Sequence, residues 1–129
     1  MECPKDLKYL KTHEWAKVEG EGAVARVGIT DFAQHELTDV VYVELPKPGR
    51  MVKAGEAVVV IESVKTAVDV YSPVSGKIVA ANDKLTGDPG LINRSAYQDG
   101  WIFTVEMSDK KEWDALLGAE TYAAQLAGK

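Results

Sequence analysis

The chain has a single cysteine, Cys3, among its 129 residues. An internal disulfide is therefore impossible, and with two histidines there is no Cys/His cluster of the kind that binds zinc. A reducing compartment fits this usage. Basic residues are also in the minority, 15 Lys and Arg against 20 Asp and Glu. They form no cluster or basic face, which argues against a nucleic-acid partner. No apolar run reaches the ~18 residues that a membrane-spanning helix needs, so no membrane partner is expected. No Arg-rich amphipathic leader opens the chain, and no tandem repeat or Ala/Pro-rich linker divides it. What is present is 46% hydrophobic and 27% charged, with 11 Gly and 5 Pro. Valine comes in short runs. Together these predict one globular, mostly β domain over residues 1–129.

The order of apolar runs and breakers predicts the elements. Residues 1–11 read as an irregular arm anchored by Leu7, Tyr9 and Leu10. Residues 12–19 and 23–29 form a hairpin about a turn at Glu19 to Gly22, with His13, Trp15 and Lys17 on one face. Thr30 is placed to cap a short helix, Asp31–Leu37, and Asp31 suits its first turn. Strands follow at 40–45, 57–62 (near-continuously apolar, predicted buried on both faces), 67–71, 77–81 and 101–106, with a loop at 82–100. Ser108 is placed to cap a helix through Leu117 that Gly118 ends, and a second helix is predicted over 120–126. Trp15, Tyr42, Trp101 and Phe103 are predicted core, and Trp113 a packing anchor for the terminal helix. The predicted fold is a small β-sandwich or flattened barrel with a short internal helix and C-terminal helices.

The chemistry sits between the central strands. Pairing the segment about its midpoint puts Ile61 opposite Val68, Val60 opposite Asp69 and Val59 opposite Val70. Val64 and Lys65 become the two central residues of a tight turn. Nothing at 63–66 is Gly, Asn or Pro, although two-residue hairpin turns favour residues that accept positive φ. Val64 is β-branched and resists it, so a type I turn is expected. A lysine in a turn is ordinarily only solvated. This one sits at a tip whose residues are poor turn formers, framed by Gly55 and Glu56 before it and by Pro73 and Gly76 after it.

That arrangement resembles the biotinyl/lipoyl carrier family, in which a modifiable lysine occupies a hairpin tip. Val64 and Thr66 flank Lys65 where biotin carriers usually have methionines, which favours lipoate. Further stretches resemble the glycine cleavage H proteins. They are Leu7 to Tyr9 with His13, Glu14 and Trp15; Gly28 to Gln34; Val41 to Pro46; Glu62 to Lys65 followed by Asp69 to Pro73; Leu91 to Asn93; and Tyr97 to Trp101.

The resemblance implies the lipoyl (hybrid) type of β-sandwich and no catalytic activity of the chain's own. It implies lipoate in amide linkage to Lys65, which would take the net charge from -5 to -6 (-5 - 1). The implied role is to carry the aminomethyl group of glycine from a pyridoxal-phosphate decarboxylase (P protein) to an aminomethyltransferase (T protein). Reducing equivalents would pass to dihydrolipoyl dehydrogenase (L protein). Lipoylating enzymes are further implied partners, and the chain is expected to be a monomer. The resemblance also implies a resting cleft for the loaded arm, formed by Thr12, Glu14 and Asp69 with the segment around His35, Glu36 and Leu37. Glu14 and Asp69 would hold the carried amine as a cation. Two departures stand out: Glu36 occupies a position where several members have histidine, with His35 one place earlier, and Thr38 replaces a common glycine. The Leu85 to Asn93 run and the tail after Trp113 resemble eukaryotic members, which points to the mitochondrial matrix, with the bacterial cytoplasm as the alternative.

Three other readings are open. One is a lipoyl relay or carrier for 2-oxoacid dehydrogenase complexes. Another is an unmodified β-sandwich interaction module. The last is a small hydrolase pairing His13 or His35 with Ser63, Ser72 or Asp69, which lacks a nucleophile elbow.

Overall fold

Alternation along the strands builds the molecule. In Val24–Ile29, Ala25, Val27 and Ile29 are buried while Val24 and Arg26 are partly exposed. The computed structural model describes residues 3–19 and 22–128. In chain order the elements are β1 (Lys8–Tyr9), β2 (Glu14–Glu19), β3 (Val24–Ile29), α1 (Asp31–Leu37), β4 (Val40–Glu44), β5 (Met51–Val52), β6 (Ala57–Ser63), β7 (Ala67–Tyr71), β8 (Gly76–Ala81), α2 (Lys84–Gly87), α3 (Leu91–Arg94), β9 (Phe103–Met107), α4 (Lys111–Asp114) and α5 (Ala119–Ala127). One antiparallel sheet has the order β1-β2-β3-β9-β8-β5, the other β4-β6-β7.

The inner rows of the two sheets meet in the main core. Val27, Ile29, Ile78 and Phe103 come from the larger sheet, and Val59, Ile61 and Val70 from the smaller. Each such side chain contributes about 1.5–3 kcal/mol on burial, so the base of the β6–β7 hairpin is fixed by packing and its tip need not be. A second cluster lies elsewhere, where Leu7, Tyr9 and Trp15 meet Tyr122 of α5. Trp113 and Leu116 pack against the main core, as the anchoring role of Trp113 requires.

Several local expectations are corrected. The 1–11 arm is not wholly irregular: Lys8 and Tyr9 pair with Ala16 and Trp15, and Tyr9 exchanges backbone hydrogen bonds with Leu117. The 82–100 loop contains α2 and α3, each one turn long and too short to show periodicity, pinned by fully buried Leu85 and Ile92. Ser108 caps nothing. The first terminal helix shrinks to α4, and Gly118 is the N-cap of α5 instead of an end. Tyr42 is 51% exposed, because a bulge between Val40 and Tyr42 shifts the register and turns Val43 inward. On β6 the face bearing Val59 and Ile61 is fully buried, whereas Ala57 and Glu62 are exposed. Gly20 and Glu21 of the predicted first turn lie outside the described residues.

Candidate functional site

The β6–β7 register is Val59↔Val70, Val60↔Asp69, Ile61↔Val68 and Glu62↔Ala67. It leaves Val64 and Lys65 as the central residues of the connection. Neither has positive φ, in keeping with an unprimed turn. The turn is closed by a side chain. The Ser63 hydroxyl accepts the N–H of Thr66 at 3.2 Å and of Lys65 at 3.3 Å, and the Ser63 N–H donates to the Thr66 carbonyl at 2.7 Å. From outside the hairpin, the Asp39 carbonyl accepts the Val64 N–H at 3.0 Å. Ser63 thus supplies locally the hydrogen bonding that a turn-forming sequence would otherwise provide. Lys65 is exposed, and its ammonium makes no ion pair or hydrogen bond among the described residues.

The framing residues close the base of the same hairpin. Gly55, at φ +85°, donates its N–H to the Ser72 carbonyl, and Ser72 donates back to the Glu56 carbonyl. The Glu56 carboxylate accepts from the Lys53 N–H and the Arg50 guanidinium, each at 3.0 Å, which holds it below the usual carboxylate range. Gly76 is required by proximity: a Cβ there would lie 1.9 Å from the Glu106 carbonyl oxygen. The glycines and Glu56 therefore build the pedestal on which Lys65 stands.

Beside the tip lies a cleft of about 650 Å³. Its apolar lining includes Ile29, Phe32, Leu37, Val68, Val70 and Leu126, and its polar lining Thr12, Glu14, Glu36 and Asp69. Thr66, the residue after Lys65, forms part of the wall. The structure thus brings together the four polar residues singled out in the sequence. His35 is exposed and does not line the cleft. His13, Phe32 and Leu126 also line it, none of them expected there; Leu126 arrives from the far end of the chain and carries no local signal.

Glu14 is the buried carboxylate of the described residues, 2% exposed. One oxygen accepts the Tyr71 N–H at 2.8 Å and the other the Thr12 hydroxyl. Burial outweighs these two bonds and pushes its carboxyl up to about 7. Near neutral pH a cation placed beside it would favour loss of its proton and so its charged form. An apolar trough with carboxylates at its margin suits an aliphatic arm ending in a cationic amine. Among the described residues no group of three or more His, Cys, Asp and Glu is placed to hold a metal.

Comparison with known proteins points to one family. Residues 7–129 match the family model described as glycine cleavage H-protein. A glycine cleavage system H protein of Endomicrobium trichonymphae is 53% identical over 95% of this chain and 97% of its own. One from Stenotrophomonas maltophilia (strain R551-3) is 55% identical over 97% and 95% respectively. A crystal structure of a glycine cleavage system H protein from Mycobacterium marinum superposes with a TM-score of 0.85 at 37% identity, covering 96% of this chain and 98% of that one. These relatives correct the expected location. They are bacterial, as are those from Xanthomonas, Marinobacter and Alcanivorax, which favours the bacterial cytoplasm over the mitochondrial matrix. The Leu85 to Asn93 run misled because it reports packing and not compartment: Leu85 and Ile92 are core residues.

Proposed function

This chain belongs to the glycine cleavage H-protein family, and from that premise we propose that it is a one-domain carrier whose lipoyl group is amide-linked to Lys65. The family implies a lipoyl cofactor. The function is to shuttle the aminomethyl group of glycine, and reducing equivalents, among the P, T and L proteins of glycine cleavage. The observation that carries the attachment site is the β6–β7 register, which sets Lys65 at an exposed tip with its ammonium unengaged among the described residues. A modifying enzyme needs a protruding amine that can be approached from several sides.

When bound, lipoate supplies a dithiolane for group transfer and thiol–disulfide exchange. The chain's residues supply position and protection. Lys65 tethers the arm and so raises its local concentration at each docked active site. Ile29, Phe32, Leu37 and Val68 would exclude water from the resting arm. Glu14 and Asp69 would hold the carried amine as a cation, with Thr12 orienting the Glu14 carboxylate. Glu36 offers a further carboxylate at the rim.

Intact mass after co-expression with a lipoylating enzyme tests the attachment. One lipoyl adduct is expected, absent in Lys65→Ala; no adduct under active lipoylation would overturn the proposal. Glycine oxidation by the lipoylated chain with P, T and L proteins tests the role. Activity only with 2-oxoacid dehydrogenase components would identify a lipoyl relay instead.

A further inference from the structure

The C-terminal helix α5 reaches the cleft through one buried hydroxyl. Tyr122 is fully buried, and its ring stacks on Tyr9 at 4.6 Å with an interplanar angle of 2°. Its phenol oxygen lies 2.7 Å from His13 Nδ1 and 2.7 Å from Thr30 Oγ1. These partners are neighbours, because the Glu14↔Ile29 pairing of β2 with β3 continues to them. His13 precedes Glu14 on the β2 side and carries a strained φ of +78°. Thr30 is the N-cap of α1, accepting the Ala33 N–H, and its own N–H donates to the His13 carbonyl at 2.9 Å. The His13 ring then rests against Phe32 of α1, with centroids 4.7 Å apart. Four residues beyond Tyr122, Leu126 enters the lining itself.

We propose that Tyr122 is a positioning residue of the arm cleft: its hydroxyl ties α5 to the junction of the Thr12 to Glu14 segment with the N-terminus of α1 and thereby holds His13 and Leu126 in the cleft lining. The inference rests on the reading of this cleft as the arm's resting site. Tyr122 touches no arm; it acts through His13 and Thr30. Two relay directions satisfy the geometry. Either His13 Nδ1 accepts from the phenol while Thr30 donates to it, or Nδ1–H donates and the phenol donates to Thr30. Both need the phenol oxygen and both break in Tyr122→Phe, which keeps the ring stack.

The test uses the full lipoylated chain, loaded by the decarboxylase and followed by mass spectrometry for loss of the carried group. Tyr122→Phe is expected to shorten the loaded half-life about fivefold, the factor set by one neutral hydrogen bond, with an unchanged rate of lipoylation at Lys65. In the unlipoylated chain the His13 ring ¹⁵N shifts should move, a signature that loss of general stability does not produce. Thr30→Ser should behave as the unmodified sequence, because it keeps the hydroxyl that both meets the phenol and caps α1. Gln125→Ala, which removes a different α5 tie to the Lys11 carbonyl, should leave the half-life unchanged. An equal loss in Gln125→Ala would overturn the role of the hydroxyl and leave only helix docking. A normal half-life in Tyr122→Phe alongside a shortened one in Glu14→Gln would overturn this inference alone. Normal half-lives in both would overturn it together with the cleft reading.

Discussion

The Glu14 carboxylate accepts the backbone N–H of Tyr71 at 2.8 Å across 57 residues of sequence, joining β2 of the larger sheet to β7 of the smaller. The same group is placed to bind the carried amine, so its two duties are linked through its protonation.

The first prediction follows from that link. Glu14 titrates near 7 in the folded chain, above its ordinary 4.5. The folded state therefore binds more protons than the unfolded state between these values, and stability from this group falls as pH rises through 7. The cost above that range is up to roughly 3 kcal/mol, at 1.36 kcal/mol per unit. Glu14→Gln keeps an acceptor for Tyr71 and cannot ionise. Its Tm should equal that of the parent below about pH 4, under the unfolded value of 4.5, and exceed it at pH 8. Calorimetry across this range checks the sign, and a difference that shrinks with rising pH would contradict it. Loss of protection in the same variant, despite higher stability, would separate the two duties.

Ser63 gives the second prediction. Its hydroxyl closes the turn that presents Lys65. Ser63→Ala should cost about 1 kcal/mol and speed amide exchange at Lys65 and Thr66, while Val59 and Ile61, held by the core, stay protected. Ser63→Thr retains the hydroxyl and should restore slow exchange. Uniformly faster exchange along β6 would instead mean that the tip governs the hairpin.

How far these residues could be read in advance depends on the range of the interactions that place them. The β6–β7 register was legible, because facing apolar residues around a short connection admit few alignments. Thr30 as the α1 cap was legible for the same local reason: its side chain accepts the Ala33 N–H. Tyr42 was misassigned because a bulge leaves no mark in an alternating apolar run. Tyr122 and Leu126 were invisible as cleft residues. Their partners lie about a hundred positions away, and a helix pattern says which face is buried without saying against what.

Gly76 supports a third prediction. A Cβ at this position would meet the Glu106 backbone, which cannot move without breaking the β8–β9 ladder. Gly76→Ala should cost roughly 4 kcal/mol or more, visible as a collapse of Tm or failure to fold. Gly118→Ala is the control, since no atom lies within 4 Å of its added methyl. Its change should stay within about 1 kcal/mol. A mild effect at Gly76 would mean that the hairpin pedestal is softer than its packing indicates.

Thr38 supports the last. It leaves α1 at φ +61° and ψ -146°, a region that glycine occupies readily and a β-branched residue does not. The chain thus keeps a glycine-like helix exit with threonine in it. Asn93 holds that exit, donating to the Thr38 carbonyl at 2.7 Å and accepting the Val40 N–H at 2.9 Å. Strain of about 1–3 kcal/mol is thus opposed by neighbouring hydrogen bonds. Thr38→Gly relieves the strain but adds freedom to the unfolded chain, worth about 0.4–1 kcal/mol. The net should be a gain of about 1 kcal/mol, or a Tm rise of roughly 3 °C. Thr38→Ala also adopts this φ poorly and should give no comparable gain. An equal rise in both variants would show that the threonine side chain, and not its backbone conformation, is the source of the cost.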